Sequence, residues 1–138
     1  MENKTNKLYK LNKLKIECLV SVSPKKKIQI VKEDTSDKIK RLSRSIGITS
    51  KHVCDKGQRF STLGETGINF ILNNLNLAKD EIDGIVVVTQ SPDYIMPGTA
   101  VLLQDRCGFP KSTLAYDINL GCSGYPYALY VAYGHLLS

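Results

Sequence analysis

The chain of 138 residues has no tryptophan, no C-x-x-C pair and no apolar stretch that approaches the roughly 20 residues of a membrane-spanning helix. A helical membrane anchor is therefore not expected. The N-terminal MENKTNKLYKLNKLK is dotted with lysine and lacks the apolar core of a signal peptide, which points to a cytoplasmic location. The four cysteines, Cys18, Cys54, Cys107 and Cys122, have no zinc-like spacing to His52 or His135. His52 and Cys54 stand two apart without obvious further ligands, so no metal site is expected, and in a reducing compartment the cysteines should be free thiols. Acidic residues are the minority, 13 against 19 Lys and Arg, a net charge of +6. The lysines are spread over Lys4, Lys7, Lys10, Lys13, Lys15 and Lys25 to Lys27, with no nucleic-acid-binding motif and no interleaved aromatics to stack bases. No nucleic acid partner is expected; the excess reads as a solvated face or as a docking surface for an acidic partner.

What is present suits one soluble globular domain: 42% hydrophobic and 23% charged residues. Residues 1–15 read as a basic tail and 16–138 as the domain. A first strand is expected over Ile16–Val22 and, past Ser23-Pro24, a second extended run over Lys27–Val31. Asp34-Thr35-Ser36-Asp37 opens a helix whose Ile39, Leu42 and Ile46 share a buried face until Gly47 ends it. A longer helix starts near Ser61, carries Leu63, Phe70, Ile71 and Leu75, and stops at Asn76; Gly64 and Gly67, one turn apart, predict close packing. After the polar link Leu77–Asp83, the β-branched run Gly84–Thr89 reads as a central strand covered on both faces. The loop Thr89–Pro97 leads to a helix over Gly98–Arg106, with Cys107 in the core. Strands alternating with helices predict an α/β fold, a mostly parallel sheet with flanking helices, whose ligands gather beyond the carboxyl ends of the strands.

The last stretch, Ser112 to Leu137, concentrates the chemistry. An apolar run, Leu114–Leu120, breaks at Gly121. Cys122, Ser123 and Gly124 follow, then Tyr125-Pro126 and a helical segment bearing Ala128, Leu129, Val131, Ala132 and Leu136. Pro126 fits a first helical turn, where its missing N–H is not needed. Cys122 thus belongs on a sharp strand-to-helix turn, flanked by glycines that allow unusual backbone angles and close approaches. The positive end of a helix stabilises a thiolate, so Cys122 is a candidate for accepting an acyl group. The same residue also reads as a small apolar filler.

The strings DINLGCSGYPYAL, VVVTQSPDYIMPGTAVLLQDRCG and SIGITSKHV, in this order and spacing along the chain, resemble 3-oxoacyl-[acyl-carrier-protein] synthase III, the ketoacyl synthase III branch of the thiolase superfamily. The resemblance runs from about Ile16 to the end, weak before Ser43 and strong after Asp83. It implies that Cys122, in the pattern D-x-x-x-x-C-[SA]-G, is the nucleophile of a decarboxylating Claisen condensation between an acyl thioester and a malonyl carrier protein. It implies that Arg44 lies at a coenzyme A entrance, although its spacing to Gly47-Ile48 is one residue longer than the family's, and Arg44 reads equally as a charge that meets the C-terminal end of its helix. It implies that Thr89 and Gln90 shape an acyl tunnel. Met96, before Pro97, would reach across a twofold interface and help set acyl-chain length, or else simply pack over the next helix. No cofactor is implied beyond the substrates, acyl-CoA or the phosphopantetheine of an acyl carrier protein. The partners are that acidic carrier and a second copy in a homodimer. The family's adenine-stacking tryptophan has no counterpart, which leaves acyl-CoA and acyl carrier protein as alternative donors.

The family's malonyl-binding His and Asn lie in the second half of a longer chain, and neither His52 nor His135 matches them. The expectation is a thiolase-like N-terminal half, truncated before its last strands and unable to complete condensation alone. A different thiolase-superfamily acyltransferase, or an inert remnant that only dimerises, stays open. So do the acyl chain and the route served, fatty-acid synthesis or the making of acylated surface molecules.

Overall fold

The structure is a computed structural model and describes residues 14–137. The expected basic tail, save Leu14 and Lys15, lies outside the described residues. Among the described residues four strands and four helices follow one another. They are β1 (Lys27–Gln29), α1 (Asp37–Ile46), β2 (Ser50–His52), α2 (Phe60–Leu75), β3 (Gly84–Val88), α3 (Thr99–Cys107), β4 (Leu114–Ile118) and α4 (Gly124–Leu137). A single 3₁₀ turn, Lys79–Glu81, interrupts the link before β3, and the Glu81 carboxylate accepts from the Ala78 N–H at 2.7 Å.

β3 and β4 pair in parallel, from Gly84 opposite Leu114 to Val88 opposite Ile118. β1 and β2 form a separate antiparallel pair, Lys27 opposite His52. The core lies between the parallel pair and α2 and α3. Val87, Ala100 and Leu103 form one buried cluster, and Leu72, Cys107 and Phe109 another, with Ile68 and Ile85 packed against both. The close helix packing expected of α2 is present at Gly64, which faces α3, whereas Gly67 faces the extended segment before β1. A Cβ on Gly64 would stand 3.1 Å from Leu103 Cδ1, and one on Gly67 would stand 3.3 Å from Val22 Cγ2. Asn76 ends α2 in the left-handed region at φ 51°, which asparagine tolerates better than most side chains.

Two expectations differ from what is observed. Ile16–Val22 forms no strand: Cys18, Val20 and Val22 are half-buried in alternation with exposed neighbours, and the segment lays one face on α2 without a strand beside it. Period-2 burial arises from packing alone here, so the pattern marks an extended chain and not a ladder. Likewise Ile39, Leu42 and Ile46 do share one face of α1, which Gly47 ends at φ 71°, yet all three are exposed and only Ser43 is buried. Periodicity aligns side chains on a face; it does not supply a neighbour to cover it. Among the described residues no helix is long and apolar enough to cross a membrane.

Candidate functional site

Because β3 and β4 run parallel with Val88 beside Ile118, the loops that leave them, 89–98 and 119–123, emerge at one edge of the sheet. That edge is where parallel sheets bind ligands.

Asp117 joins the two. A carboxylate inside the apolar run of β4 is costly unless it is hydrogen-bonded. Its oxygens accept from the Thr99 N–H at 2.6 Å and the Ala100 N–H at 2.7 Å, the first N–H groups of α3. The residue that precedes α3 is Gly98, which has no side chain to serve as a cap, and a Cβ there would stand 3.2 Å from Asp117 Oδ2. Strand β4 therefore caps α3, and the negative charge meets the positive end of the helix. Thr89, Pro92, Tyr94, Ile95, Asp117 and Asn119 line a cleft of about 170 Å³ between the loops.

Cys122 stands in the second loop. The Gly124 N–H donates to the Gly121 carbonyl at 2.8 Å, closing a turn with Cys122 and Ser123 at its centre, and α4 begins directly after. Cys122 is exposed. The flanking glycines serve close approach alone, since neither has a positive φ. A Cβ on Gly121 would lie 2.9 Å from Gln90 Nε2, and one on Gly124 would lie 2.4 Å from Val88 Cγ1. The cysteine turn thus sits directly on the end of β3 and the start of its loop.

A second carboxylate fixes the first loop from the other side. The Ser61 hydroxyl, fully buried in the first turn of α2, donates to Asp93 Oδ2 and accepts from Arg106 Nη1 at 2.6 Å. The Ser61 N–H donates to Asp93 Oδ1 at 3.4 Å. Arg59 donates to the Asp93 carbonyl at 3.4 Å, and its guanidinium lies 4.9 Å from the centre of the Tyr94 ring.

No family model matches the chain. Individual proteins do. A Campylobacter jejuni protein assigned as a 3-oxoacyl-[acyl-carrier-protein] synthase 3 is 38% identical over 100 residues, 72% of this chain and 28% of the relative. The β-ketoacyl-[acyl-carrier-protein] synthase III of Rhizobium rhizogenes is 35% identical over 99 residues, 72% of this chain and 30% of the relative. The crystal structure of a 3-oxoacyl-(acyl-carrier protein) synthase from Burkholderia xenovorans superposes with a TM-score of 0.75 at 32% identity, over 82% of this chain and 33% of that one. Over the matched part the chain is similar to 3-oxoacyl-[acyl-carrier-protein] synthase III proteins. It matches 28% to 33% of the length of these relatives.

Of the positions that the family resemblance singles out, the fold gathers Thr89, Gln90 and Cys122 at one edge. Met96 belongs to the same loop but is 84% exposed and does not line the cleft; the Met96–Pro97 peptide is cis. Arg44 lies exposed in the last turn of α1, and among the described residues no hydrogen bond or ion pair joins it to either loop. His52 is in β2, with its Nδ1 2.6 Å from the Pro24 carbonyl, a contact that ties the β1–β2 pair to the chain before it. His135 is near the far end of α4, with its Nε2 3.1 Å from the Tyr116 hydroxyl. At about 1.5 Å per residue it lies roughly 20 Å along the chain path from Cys122. Cys107 is buried, and burial, with the Glu65 carboxylate next in weight, pushes its thiol above the ordinary range. Among the described residues no group of three or more metal-ligating side chains converges.

The sequence gives Asp117 a place in the D-x-x-x-x-C-[SA]-G pattern but no role, and gives none to Asn119 or the Ser61–Asp93–Arg106 cluster. Asp117 had a readable signal, being the one charged residue in the run Leu114–Leu120. The cluster had none, because its members are 32 and 45 residues apart in the chain.

Proposed function

We propose that this chain supplies the acyl-accepting cysteine of a decarboxylating Claisen condensation of the 3-oxoacyl-[acyl-carrier-protein] synthase III type. The observation that carries the reading is Cys122, exposed on a strand-to-helix turn at the edge shared by the two parallel strands and beside the cleft-bearing loop. The Cys122 thiolate attacks the carbonyl carbon of an acyl thioester, and backbone N–H groups at the start of α4 stabilise the oxyanion, an effect usually worth about 3 kcal/mol. Collapse of the tetrahedral adduct expels the carrier thiolate, which takes up a proton, and leaves an acyl-cysteine. A malonyl thioester then loses carbon dioxide, and its carbanion attacks the acyl carbon and releases Cys122 and a 3-oxoacyl thioester. Two difficult events are thereby separated. Activation of the malonyl group is assigned to no residue of this chain.

In this reading Thr89 and Gln90 shape the acyl site, Arg44 meets the phosphate-bearing end of the donor, and an acidic carrier protein docks on the basic surface. The donor is acyl-CoA or the carrier's own phosphopantetheine thioester, and no further cofactor takes part. A homodimer is supported by the tip of the first loop, where Ile95 and Met96 are 94% and 84% exposed. Apolar side chains held out in this way suit a partner surface.

Intact-mass measurement after incubation with acyl-CoA, and separately with acyl carrier protein, tests the proposal. One acyl adduct is expected in the native chain and none in Cys122→Ala. An adduct that survives the substitution, or no adduct from either donor, overturns it. The same measurement separates the inert-remnant alternative, which takes up no acyl group.

A further inference from the structure

Asp93 lies between Pro92 and Tyr94, and both of those neighbours line the cleft, together with Thr89 and Ile95. Its own carboxylate takes no part in that lining and is engaged with Ser61 at the start of α2. The Ser61 hydroxyl donates and accepts at once in that contact. The Ser61 hydroxyl has one proton, which goes to Asp93, and accepts the Arg106 N–H in return. Arg106 is in the last turn of α3, the helix that begins where the first loop ends and whose own start is held by Asp117. The loop is thus tied at its middle to α2, at its end to β4, and back to itself through the far end of α3. Arg59, over Tyr94 and onto the Asp93 carbonyl, adds a fourth tie.

We propose that Ser61, relaying the charge of Arg106 to Asp93, is a positioning residue that sets the height of the cleft wall formed by Pro92, Tyr94 and Ile95, and thereby the acyl-chain length that Cys122 accepts. Charge-assisted hydrogen bonds of this kind are about twice as strong as neutral ones. Ser61 is fully buried, and its hydroxyl stands between Asp93 and Arg106. Loss of the relay leaves the Asp93 carboxylate with the long Ser61 N–H contact alone and its carbonyl with Arg59, and the weakened hold lets the residues on both sides of it move. The fold keeps its sheet and its α2–α3 core, since neither Ser61 nor Asp93 belongs to the apolar clusters.

The chain-length part rests on the acyl-transfer reading of Cys122; the loop part does not, and the test keeps them apart. Amide hydrogen exchange is followed for peptides that span 89–97 and 102–107 in the native chain, Ser61→Ala, Arg106→Gln and Arg106→Lys. In parallel, acylation of Cys122 is measured with acetyl, butyryl, hexanoyl and octanoyl N-acetylcysteamine thioesters, which bypass carrier recognition. Ser61→Ala and Arg106→Gln are expected to speed exchange in 89–97 about tenfold, as for the loss of one charge-assisted bond, with 102–107 unaffected. Both should also lose the native preference among the four chains, while Arg106→Lys, which retains a charged donor for Ser61, keeps protection and preference. Unchanged exchange in both variants overturns the proposal. So does faster exchange with the chain preference intact, or faster exchange equally in 102–107, since each describes a merely structural contact. If the native chain accepts no acyl group, the acyl-transfer reading fails by itself, and the exchange pattern with its Arg106→Lys rescue decides the positioning claim alone.

Discussion

Val88 and Gly124 touch at a point where no side chain fits at residue 124: a Cβ there would stand 2.4 Å from Val88 Cγ1. This contact seats the first turn of α4 on the end of β3, and it brings Cys122, two residues earlier, to the edge where the loops of both strands emerge. Helix α4 packs on the sheet chiefly through β3, so its placement, and that of the cysteine turn, depends on residue 124 having no side chain.

Gly124→Ala is therefore expected to destabilise the fold by about 1–3 kcal/mol, the usual cost of overpacking, even though alanine is the better helix former. A urea titration followed by far-UV circular dichroism measures the loss. An unchanged midpoint would mean that α4 is free to shift away from β3.

Asp117→Ala removes the acceptor of two N–H groups at the start of α3, a loss expected to cost about 2–3 kcal/mol. Asp117→Asn keeps the shape and one acceptor oxygen and should cost less. Chemical denaturation of the three proteins side by side gives the order, native above Asn above Ala. Equal stability of native and Ala would show that α3 is capped by other means.

The cysteines should separate by exposure. Iodoacetamide is expected to modify Cys54 and Cys122 in the folded chain and to spare Cys107, which is 3% exposed, until urea is added. Peptide mapping after a short exposure reads this directly. Early modification of Cys107 would contradict the core assignment.

Cys107 also carries a pH dependence. Its thiol is raised in the fold by burial and by Glu65, so the folded chain holds a proton that the unfolded chain gives up. The contribution to stability is full below the ordinary thiol value and is lost as pH rises from it through the raised value of the fold. The difference in urea midpoint between the native chain and Cys107→Ala should therefore shrink from neutral to alkaline pH. A difference that grows would reverse the assigned sign.

Leu103 packs into the gap left by Gly64 and is buried against Val87 and Ala100. Leu103→Ala is expected to cost about 2–5 kcal/mol, the range for emptying a packed site. Thermal or urea unfolding measures it, and a loss below that range would mean that α2 and α3 close the gap.

Much of the architecture was legible because local rules acted unopposed. Gly47 ends α1 with a positive φ, Asn76 ends α2 in the left-handed region, and Pro126 falls in the first turn of α4, each where backbone chemistry alone would place it. The turn that holds Cys122 followed from the same logic: an apolar run, a break, then a helix. Over Ile16–Val22 alternation reports which side chains face a neighbour, and that neighbour is α2, not another strand. The exposed face of α1 is the converse case, since a row of apolar side chains is visible in the chain and its covering partner is not.

The sequence by itself determined the four helices, the strands β3 and β4, the turn that carries Cys122 and the family resemblance, because each depends on neighbours a few positions apart. Only the tertiary structure decided that Asp117 caps a helix beginning eighteen residues before it, that Gln90 and Val88 occupy the space left by Gly121 and Gly124, and that Ser61 holds Asp93. Those contacts join distant segments through burial and hydrogen-bond geometry. A half-buried carboxylate needs a donor wherever the fold can bring one, and the linear order of residues does not say which donor that is.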